Sequence, residues 1–467
     1  MGMKLYLLLF ILGSSHAARN IPKDLWFGLA TAAFQSEGAW NESGKGESIW
    51  DRFIHNANLR VNGDTTCDSY HKWQEDIENL KKLNVNHYRF SISWPRILPD
   101  GTLKSINQEG IDHYHKLIQG LIEAGIEPLV TIYHWDMPMH IYELGGFLNP
   151  QFADYFGDYA RLLYQEYGPY VRYWLTINEP YSICNRAYGA GQLVPWLNLI
   201  GDGIYQCSYV LLKAHARAYR IYDEEFKSKY NGKVGLVISA DWYEPASNTT
   251  VDSDARERIL QFQLGWFANP VFKGNWPQIM IDRIANRSAQ EGFARSRLPQ
   301  FTQEEIDYIN GTHDYFALNT YDNYIAKNDE QNITNPSYWF DVGASWVNNT
   351  YYPEGFRKLL NFINDRYQPE SIMITENGLI TGDYLEDDDR IAFLRGYINS
   401  LLDAIEEDKI NIVGYTLWSL MDDFEWGSYN FRFGLIRVNF TDPNRARTWK
   451  NSGYWYKNIL ETRILDI

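Results

Sequence analysis

Short runs of hydrophobic residues alternate along the chain with longer stretches in which hydrophobic positions recur every three or four residues. The short runs are bounded by turn residues, which is typical of buried strands in a parallel sheet, and the longer spacing indicates amphipathic helices. The pattern predicts eight strands, at residues 26–30, 86–93, 129–134, 173–178, 233–240, 315–321, 371–375 and 412–419. It predicts helices at residues 75–83, 108–124, 150–167, 203–226, 254–269, 352–366 and 387–407.

Alternating strands and helices predict a parallel sheet, and eight such units predict that the sheet closes into a (β/α)8 TIM barrel of the α/β class. A barrel with insertions accommodates the 467 residues of the chain in one domain. We therefore expect a single barrel domain over residues 18–467. Residues 242–312 are too many for one crossover, so we expect an insertion at the barrel rim there.

Residues 1–17 have the features of a secretory signal peptide. Lys4 precedes an apolar core at residues 5–12, which is too short to span a bilayer, and small residues follow at Ser15 and Ala17. Seven Asn-x-Ser/Thr sequences are acceptors for N-glycans and agree with a secreted, extracellular protein. They begin at Asn41, Asn248, Asn286, Asn310, Asn332, Asn348 and Asn439. No later stretch is long and apolar enough to predict a membrane span.

Composition and net charge narrow the classes of molecule that this protein is expected to bind. The net charge of −16 argues against nucleic acids and anionic membrane surfaces, because both attract basic proteins. Cys67, Cys184 and Cys207 allow one disulfide and one free thiol, and the sequence does not say which two pair. Their spacing predicts no metal site. Aromatic residues make up 16% of the chain, and their faces pack well against the C–H faces of sugars.

Two glutamates occupy the same setting at the ends of two predicted strands. Glu179 follows the run Trp-Leu-Thr-Ile-Asn, and Glu376 follows the run Ser-Ile-Met-Ile-Thr. A carboxylate at the lip of a buried strand is costly to desolvate unless it is paired or used. Barrel enzymes build their active sites at this carboxyl-terminal rim. Polar and aromatic residues also end or follow the predicted strands, at Gln35, His134, Asn178, Tyr321, Trp418, Glu425 and Trp426.

Two carboxyl groups that flank a glycosidic bond can hydrolyse it. One is protonated and donates its proton to the leaving oxygen, and the other is ionised and attacks the sugar or activates water. A separation of about 5 Å permits direct attack with retention of configuration, and a wider separation leaves room for water and leads to inversion. The two residues by themselves leave both outcomes open. Neither outcome requires a metal or a cofactor, and the expected partner is a small-molecule glycoside.

Six motifs make the chain similar to glycoside hydrolase family 1, the β-glucosidase family, of the secreted animal, insect-like type. The resemblance covers essentially all of the mature chain and extends to myrosinase-like members. The motifs are Phe27-Gly-Leu-Ala-Thr-Ala-Ala-Phe-Gln-Ser-Glu-Gly38, Tyr88-Arg-Phe-Ser-Ile-Ser-Trp94, Tyr133-His-Trp-Asp136, Thr176-Ile-Asn-Glu-Pro180, Ile374-Thr-Glu-Asn-Gly378 and Trp418-Ser-Leu-Met-Asp-Asp-Phe-Glu-Trp426.

The resemblance implies a retaining mechanism, with Glu376 as the nucleophile and Glu179 as the acid and base. It implies that Asn178 binds the sugar 2-hydroxyl group. It also implies that Arg89 and Tyr321 orient Glu376 and keep it ionised, with Tyr321 also contacting the substrate. The further contacts to sugar hydroxyl groups that it implies are Gln35, His134, Glu425 and Trp426, with Trp418 as a stacking platform.

The predicted function is therefore a secreted retaining β-glucosidase, and two alternatives stay open. The first is a thioglucosidase, or myrosinase, that cleaves glucosinolates with an anionic aglycone. Arg186 lies a few residues past Glu179, where a guanidinium is able to bind such an anion, although a solvated loop charge is the more common role of a lone arginine. Trp346 is the candidate platform for an aglycone. The second alternative is a non-catalytic sugar-binding barrel, which the loss of either glutamate would favour; both are present.

Overall fold

The computed structural model describes residues 18–57, 59, 61–349 and 351–466, so the predicted signal peptide lies outside the described residues. Eight strands form one closed barrel, and we number them in chain order. They are β1 (Trp26–Ala30), β2 (His87–Ser91), β3 (Glu127–Tyr133), β4 (Tyr173–Asn178), β5 (Lys233–Ser239), β6 (Phe316–Asn319), β7 (Ile372–Glu376) and β8 (Ile412–Trp418). Each strand pairs in parallel with the next, and β8 pairs in parallel with β1. The predicted (β/α)8 barrel is confirmed.

Helices surround the barrel and connect its strands. The α-helices are Ala33–Ser36, Ile49–Asn56, Ser69–Leu83, Trp94–Ile97, Gln108–Glu123, Met139–Glu143, Phe152–Tyr167, Gly203–Ile221, Lys227–Tyr230, Thr250–Leu260, Trp266–Lys273, Gln278–Gln290, Gln303–Ile309, Tyr338–Val342, Pro353–Tyr367, Asp388–Glu406 and Asn451–Thr462. Three segments are π-helical, Ser182–Gly189, Tyr222–Phe226 and Gln261–Gly265, and Gly146–Leu148 is a 3-10 turn.

Two layers of apolar side chains hold the barrel together. The larger layer lies between the strands and the helices. A separate cluster contains Leu129, Leu175, Val237, Ala317 and Met373, which come from five neighbouring strands and are buried. Because side chains alternate across a strand, such a cluster fills the inside of the barrel and closes it as a packed core beneath the rim.

The structure differs from the sequence prediction at several element boundaries. The helix predicted over 75–83 begins earlier, at Ser69, and three further differences concern two π-helical turns and the end of β7. The predicted helix over 203–226 ends at Ile221 in a π-helical turn, and the predicted helix over 254–269 is interrupted by another at Gln261–Gly265. Hydrophobic spacing does not register the one-residue insertion that makes a π turn. In β7, Glu376 is the last strand residue rather than the first residue after it, because it continues the ladder with Asn319 of β6.

Within the described parts of the chain, short strands outside the barrel form three small sheets. Ala18–Asn20 pairs with Ile464–Asp466, which joins the two ends of the described chain, and Ile436–Val438 pairs with Arg447–Trp449. The third sheet lies at the barrel rim and consists of Trp242–Pro245, Asn323–Asn328 and Ala344–Asn348. The insertion expected within residues 242–312 contributes the first of these strands and four helices.

A buried ion pair holds the helix Tyr338–Val342 at this rim. Arg297 donates to both carboxylate oxygens of Asp341, at 2.6 and 2.9 Å, and the Tyr205 hydroxyl group donates to the same carboxylate at 2.5 Å. The side chains of Arg297 and Asp341 are 1% and 0% exposed. Arg258 donates to the carbonyl groups of Val342 and Gly343, directly after Asp341. The backbone that leads into the rim strand is therefore fixed from several directions.

The three cysteines and the predicted glycan acceptors have defined places. Cys184 and Cys207 form the disulfide, with sulfur atoms 2.08 Å apart, and Cys67 is a buried free thiol. Six of the seven acceptor asparagines are exposed, and Asn439 is half-buried. Among the described residues, no helix combines the length and the apolar character that crossing a membrane requires.

We expect Asp341→Ala to lower the free energy of unfolding by roughly 3 kcal/mol or more, because it leaves the Arg297 guanidinium buried without its main partner. Urea unfolding would measure the change. The matched control is Asp158→Ala, which removes a carboxylate that pairs with Arg161 at 3.2 Å and is 43% exposed. This control should cost at most about 0.5 kcal/mol. Equal losses in the two variants would contradict the stabilising role of the Asp341 pair.

Candidate active site

A cleft of about 840 Å³ opens at the carboxyl-terminal ends of the barrel strands. Seven of the eight strands, or the segments that directly follow them, contribute lining residues, and Arg89 reaches the same place from β2. The other site residues predicted from the sequence all line this one cleft. They are Gln35, His134, Asn178, Glu179, Arg186, Tyr321, Trp346, Glu376, Trp418, Glu425 and Trp426.

The carboxylate of Glu376 is held by two donors of different charge. Arg89 Nη1 donates to Oε1 at 2.5 Å, and the Tyr321 hydroxyl group donates to Oε2 at 2.5 Å. The side chains of Arg89 and Glu376 are 1% and 5% exposed, so little water screens the ion pair. A guanidinium and a hydroxyl donor both favour the ionised form of a carboxyl group.

Burial opposes these donors. Burial raises the pKa of Glu376 to about 7, Arg89 pulls this pKa down, and the nearby Glu179 carboxyl group raises it by like-charge repulsion. The pKa of Tyr321 is raised well above its usual range, first by burial and then by Glu376, so this hydroxyl group keeps its proton and remains a donor. The ionised state of Glu376 therefore depends on Arg89 and Tyr321.

Glu179 has different surroundings from Glu376. It directly follows β4, and its φ of +47° lies in the left-handed region, which costs a non-glycine residue on the order of 1 kcal/mol or more. Asn319 Nδ2 donates to Oε1 and Ser182 Oγ donates to Oε2, each at 2.7 Å. Both donors are neutral, whereas a guanidinium faces Glu376. Two carboxyl groups in unlike environments are what a division into acid and base requires.

Asn178 links the ion pair to His134. Arg89 Nη2 donates to Asn178 Oδ1 at 2.7 Å, which leaves Asn178 Nδ2 to donate to His134 Nε2 at 3.0 Å. Burial lowers the pKa of His134 well below its usual range, so the ring is neutral and carries its proton on Nδ1. That Nδ1 has no hydrogen-bond partner among the described residues. Since buried polar groups normally find a partner, this N–H is suited to a ligand oxygen.

Gln35, Trp418 and Glu425 form a second polar group in the cleft. Gln35 Nε2 donates to Glu425 Oε2 at 2.9 Å, and Trp418 Nε1 lies 3.4 Å from the same oxygen. Burial raises the pKa of Glu425. Gln35 Oε1 lacks a partner within the described parts of the chain. A carboxyl group beside an amide offers both acceptors and donors to adjacent hydroxyl groups. Trp426 packs beside this group, 4.3 Å from Trp135 between ring centroids.

The two candidate aglycone residues lie nearer the mouth of the cleft. Arg186 belongs to the π-helical segment Ser182–Gly189 and is exposed, with its Nε 3.4 Å from Gln192 Oε1. Trp346 lies on the rim strand Ala344–Asn348 and packs against Trp339, 5.6 Å away between ring centroids. Both residues line the cleft, but they belong to elements outside the barrel.

Comparison with known proteins identifies the family. The family described as glycosyl hydrolase family 1 matches residues 17–464. The chain belongs to glycosyl hydrolase family 1. It is 44% identical over 459 residues to Myrosinase 1 of Brevicoryne brassicae, which covers 95% of this chain and 99% of that protein. The predicted family is thereby confirmed, and the enzyme class is that of a glycosidase.

Solved structures of other family members have the same architecture. The structure of an aphid myrosinase superposes with a TM-score of 0.91 at 42% identity, covering 95% of this chain and 99% of the other. A mutant of a rice β-glucosidase, solved in a covalent complex with Glc, superposes with a TM-score of 0.89 at 35% identity, covering 94% and 98% of the two chains. Relatives named as a β-glucosidase and as a myrosinase therefore share this fold.

Three residues of this family 1 site are absent from the sequence prediction of site residues. Asn319 and Ser182 hold the carboxylate of Glu179, and Trp135 Nε1 donates to the Asn178 carbonyl group at 2.8 Å. Asn319 ends β6, so the strand-end criterion that selected Glu179 could have found it. Ser182 and Trp135 act through contacts that follow from local backbone conformation, since Glu179 and Trp135 both have a positive φ. Spacing of residue types carries no signal for that conformation.

Proposed function

We propose that this family 1 chain is a secreted retaining β-glucosidase that hydrolyses terminal β-D-glucosyl residues of small β-glucosides. One observation carries the proposal. Glu179 and Glu376 line the same cleft, and their hydrogen-bond donors differ in charge: two neutral groups for Glu179, and a guanidinium and a hydroxyl group for Glu376. This difference supports Glu179 as the proton donor and Glu376 as the ionised nucleophile.

The proposed first step forms a glycosyl ester. A carboxylate oxygen of Glu376 attacks the anomeric carbon, and the bond from that carbon to the aglycone oxygen breaks with its electron pair on the oxygen. Glu179 gives its proton to this oxygen, so the aglycone leaves as an alcohol. Glu376 thereby loses its negative charge and Glu179 gains one.

The proposed second step reverses these roles. Glu179 takes a proton from water, the water oxygen attacks the anomeric carbon, and the ester bond breaks to restore the Glu376 carboxylate. Two inversions at one carbon give net retention. The covalent complex with Glc named for the rice relative supports a glycosyl-enzyme intermediate in this family.

The proposed sugar contacts follow from the polar groups of the cleft. Asn178 faces the cleft between Arg89 and His134 and is assigned to the 2-hydroxyl group. His134 offers a donor on Nδ1, and Gln35 offers a free acceptor on Oε1 beside Glu425. The aromatic residues Trp418 and Trp426 supply the apolar faces. These assignments suit a polyhydroxylated ring, because adjacent hydroxyl groups need donors and acceptors side by side.

Secretion is part of the proposal and rests on the sequence of residues 1–17, with N-glycans as the expected modification. The exposure of six of the seven acceptor asparagines supports it, because a glycan requires an accessible side chain.

A thioglucosidase is the second candidate function, and Arg186 is the observation that favours it. Its guanidinium lines the cleft and is exposed, so it is available to an anionic aglycone. The name of the Brevicoryne brassicae relative supports the same candidate. Asp322 also lines the cleft, and its carboxylate opposes the binding of an anion there. We therefore keep the O-glucosidase as the first proposal.

We expect the purified protein to hydrolyse p-nitrophenyl β-glucoside. Glu376→Gln should reduce kcat on this substrate by at least about a thousandfold, because the variant lacks the carboxylate that forms the ester. Glu179→Gln should slow turnover of the glucoside, because the variant lacks the base for water in the second step. It should spare the glycosylation step on sinigrin, whose sulfur leaving group needs little protonation. Activity on sinigrin alone would make the thioglucosidase the first proposal. A folded protein that is inactive on a panel of β-glycosides would support a non-catalytic barrel.

The pH dependence of kcat/KM should change in Tyr321→Phe. Glu376 must be ionised to attack, so the rate rises with pH as this carboxyl group loses its proton. The Tyr321 hydroxyl group lowers the pKa of Glu376 by donating to its ionised form. Its removal should therefore raise that pKa and move the acidic limb of the profile to higher pH. An acidic limb that stays in place, in a variant that retains its fold, would contradict the assignment of Glu376.

Arg186→Ala tests the second candidate function. If Arg186 binds an anionic aglycone, the variant should lose roughly ten- to a hundredfold in kcat/KM on sinigrin and keep its activity on p-nitrophenyl β-glucoside, since loss of one charged hydrogen bond costs about 1.5–3 kcal/mol. Arg172→Ala is a matched control, because Arg172 is an exposed arginine that does not line the cleft. Equal losses on both substrates would exclude this role for Arg186.

A further inference from the structure

The rim strand Ala344–Asn348 brings a glycan acceptor to the mouth of the cleft. Side chains two residues apart on a strand point to the same face, so Asn348 shares a face with Trp346, which lines the cleft. Asn348 is also paired directly with Tyr324 of the neighbouring strand, and Tyr324 lines the cleft as well. Residues that face each other across an antiparallel pair lie on the same side of the sheet.

A side-chain contact supports this placement. Asn348 Nδ2 donates to Asp322 Oδ1 at 3.4 Å, and Asp322 is a third cleft-lining residue. The Asn348 side chain is nevertheless exposed. Asn348-Asn-Thr350 is an acceptor sequence for N-glycosylation. An accessible acceptor amide therefore lies beside three residues of the outer cleft wall.

We propose that Asn348 carries an N-glycan that overhangs the cleft and restricts the size of the aglycone. This inference rests on the proposed secretion and on the proposed glucosidase activity. In the modifying step, Asn348 Nδ2 forms a bond to the reducing-end anomeric carbon of a lipid-linked oligosaccharide. The nitrogen loses one proton, and the bond to the lipid diphosphate breaks with its electron pair on the diphosphate. The amide keeps one N–H, which can still donate to Asp322.

The position of the acceptor gives the glycan a selective effect. A glycan is bulky and hydrated, and at Asn348 it extends from the wall that carries Trp346. The proposed glucosyl site lies deeper, at the strand ends, where Glu179 and Glu376 are buried. A small aglycone fits beneath the glycan, whereas a large one must displace it at a cost in conformational freedom. The glycan should thus lower kcat/KM for bulky substrates and leave small ones unaffected.

The other acceptors provide internal controls. Asn286 is exposed on the helix Gln278–Gln290, and no residue of that helix lines the cleft. A glycan there should change solubility only. Thr350→Ala removes the acceptor sequence but leaves Asn348 itself unchanged, and Thr350→Ser retains the acceptor sequence.

The test uses the full chain secreted from a eukaryotic host, with occupancy of all seven acceptors measured by peptide mass spectrometry. The substrates are p-nitrophenyl β-glucoside and a flavonoid β-glucoside. We expect Asn348 to be occupied. We expect Asn348→Gln and Thr350→Ala to raise kcat/KM at least about threefold for the flavonoid glucoside alone. Thr350→Ser and Asn286→Gln should match the unaltered protein on both substrates.

Three results would overturn the inference, and they separate it from the proposed function. If other acceptors carry glycans and Asn348 does not, secretion stands and the inference fails. If no acceptor is occupied, the proposed secretion and the inference about Asn348 both fail. If Asn348 is occupied but its removal leaves the ratio of the two activities unchanged, the glycan does not screen the aglycone. Enzymatic trimming of the glycan provides the same comparison without any substitution.

Discussion

The ion pair between Arg89 and Glu376 is the interaction on which the site depends. Arg89 extends from β2 across the top of the barrel, and it donates to Thr131 of β3, to Asn178 of β4 and to Glu376 of β7. One guanidinium thus ties together four strands that are distant in sequence. It is almost fully buried, and a buried guanidinium without an anion is strongly destabilising. The Glu376 carboxylate, which is proposed to react with the sugar, therefore also neutralises the buried charge of Arg89.

The same geometry sets the electrostatics of the cleft. Glu376 and Glu425 are buried close to other carboxyl groups, and burial raises the pKa of each. Glu376 has a cation beside it, whereas Glu179 has only neutral donors. Neutral His134 contributes hydrogen bonds without adding charge. The proposed division of labour between the two glutamates thus follows from which donors each strand end presents, since the two side chains are chemically identical.

The fold was predictable from the sequence because its signals are local and repeated. Each barrel strand is a short apolar run with a turn after it, and the predicted bounds of β1 and β4 agree with the structure. The glutamates were identifiable because they follow such runs. The π-helical turns were not, since hydrophobic spacing does not register a one-residue insertion, and the exact end of β7 was not, since it depends on pairing with β6. Asn319 lies near the end of a predicted strand, but its role was not predictable, because its contact with Glu179 crosses from β6 to β4.

The sequence by itself determined the eight-unit barrel, the pair of glutamates at strand ends and the family to which the chain belongs, because these follow from the order and the type of residues. The tertiary structure decided the contacts that the order of residues along the chain cannot specify. It selected Cys184 and Cys207 as the disulfide, oriented Arg89 toward Glu376, and gave Glu179 its neutral donors. It also placed Asn348 and Trp346 on one face at the cleft mouth. These features depend on distances between distant segments, which exist only once the barrel has closed.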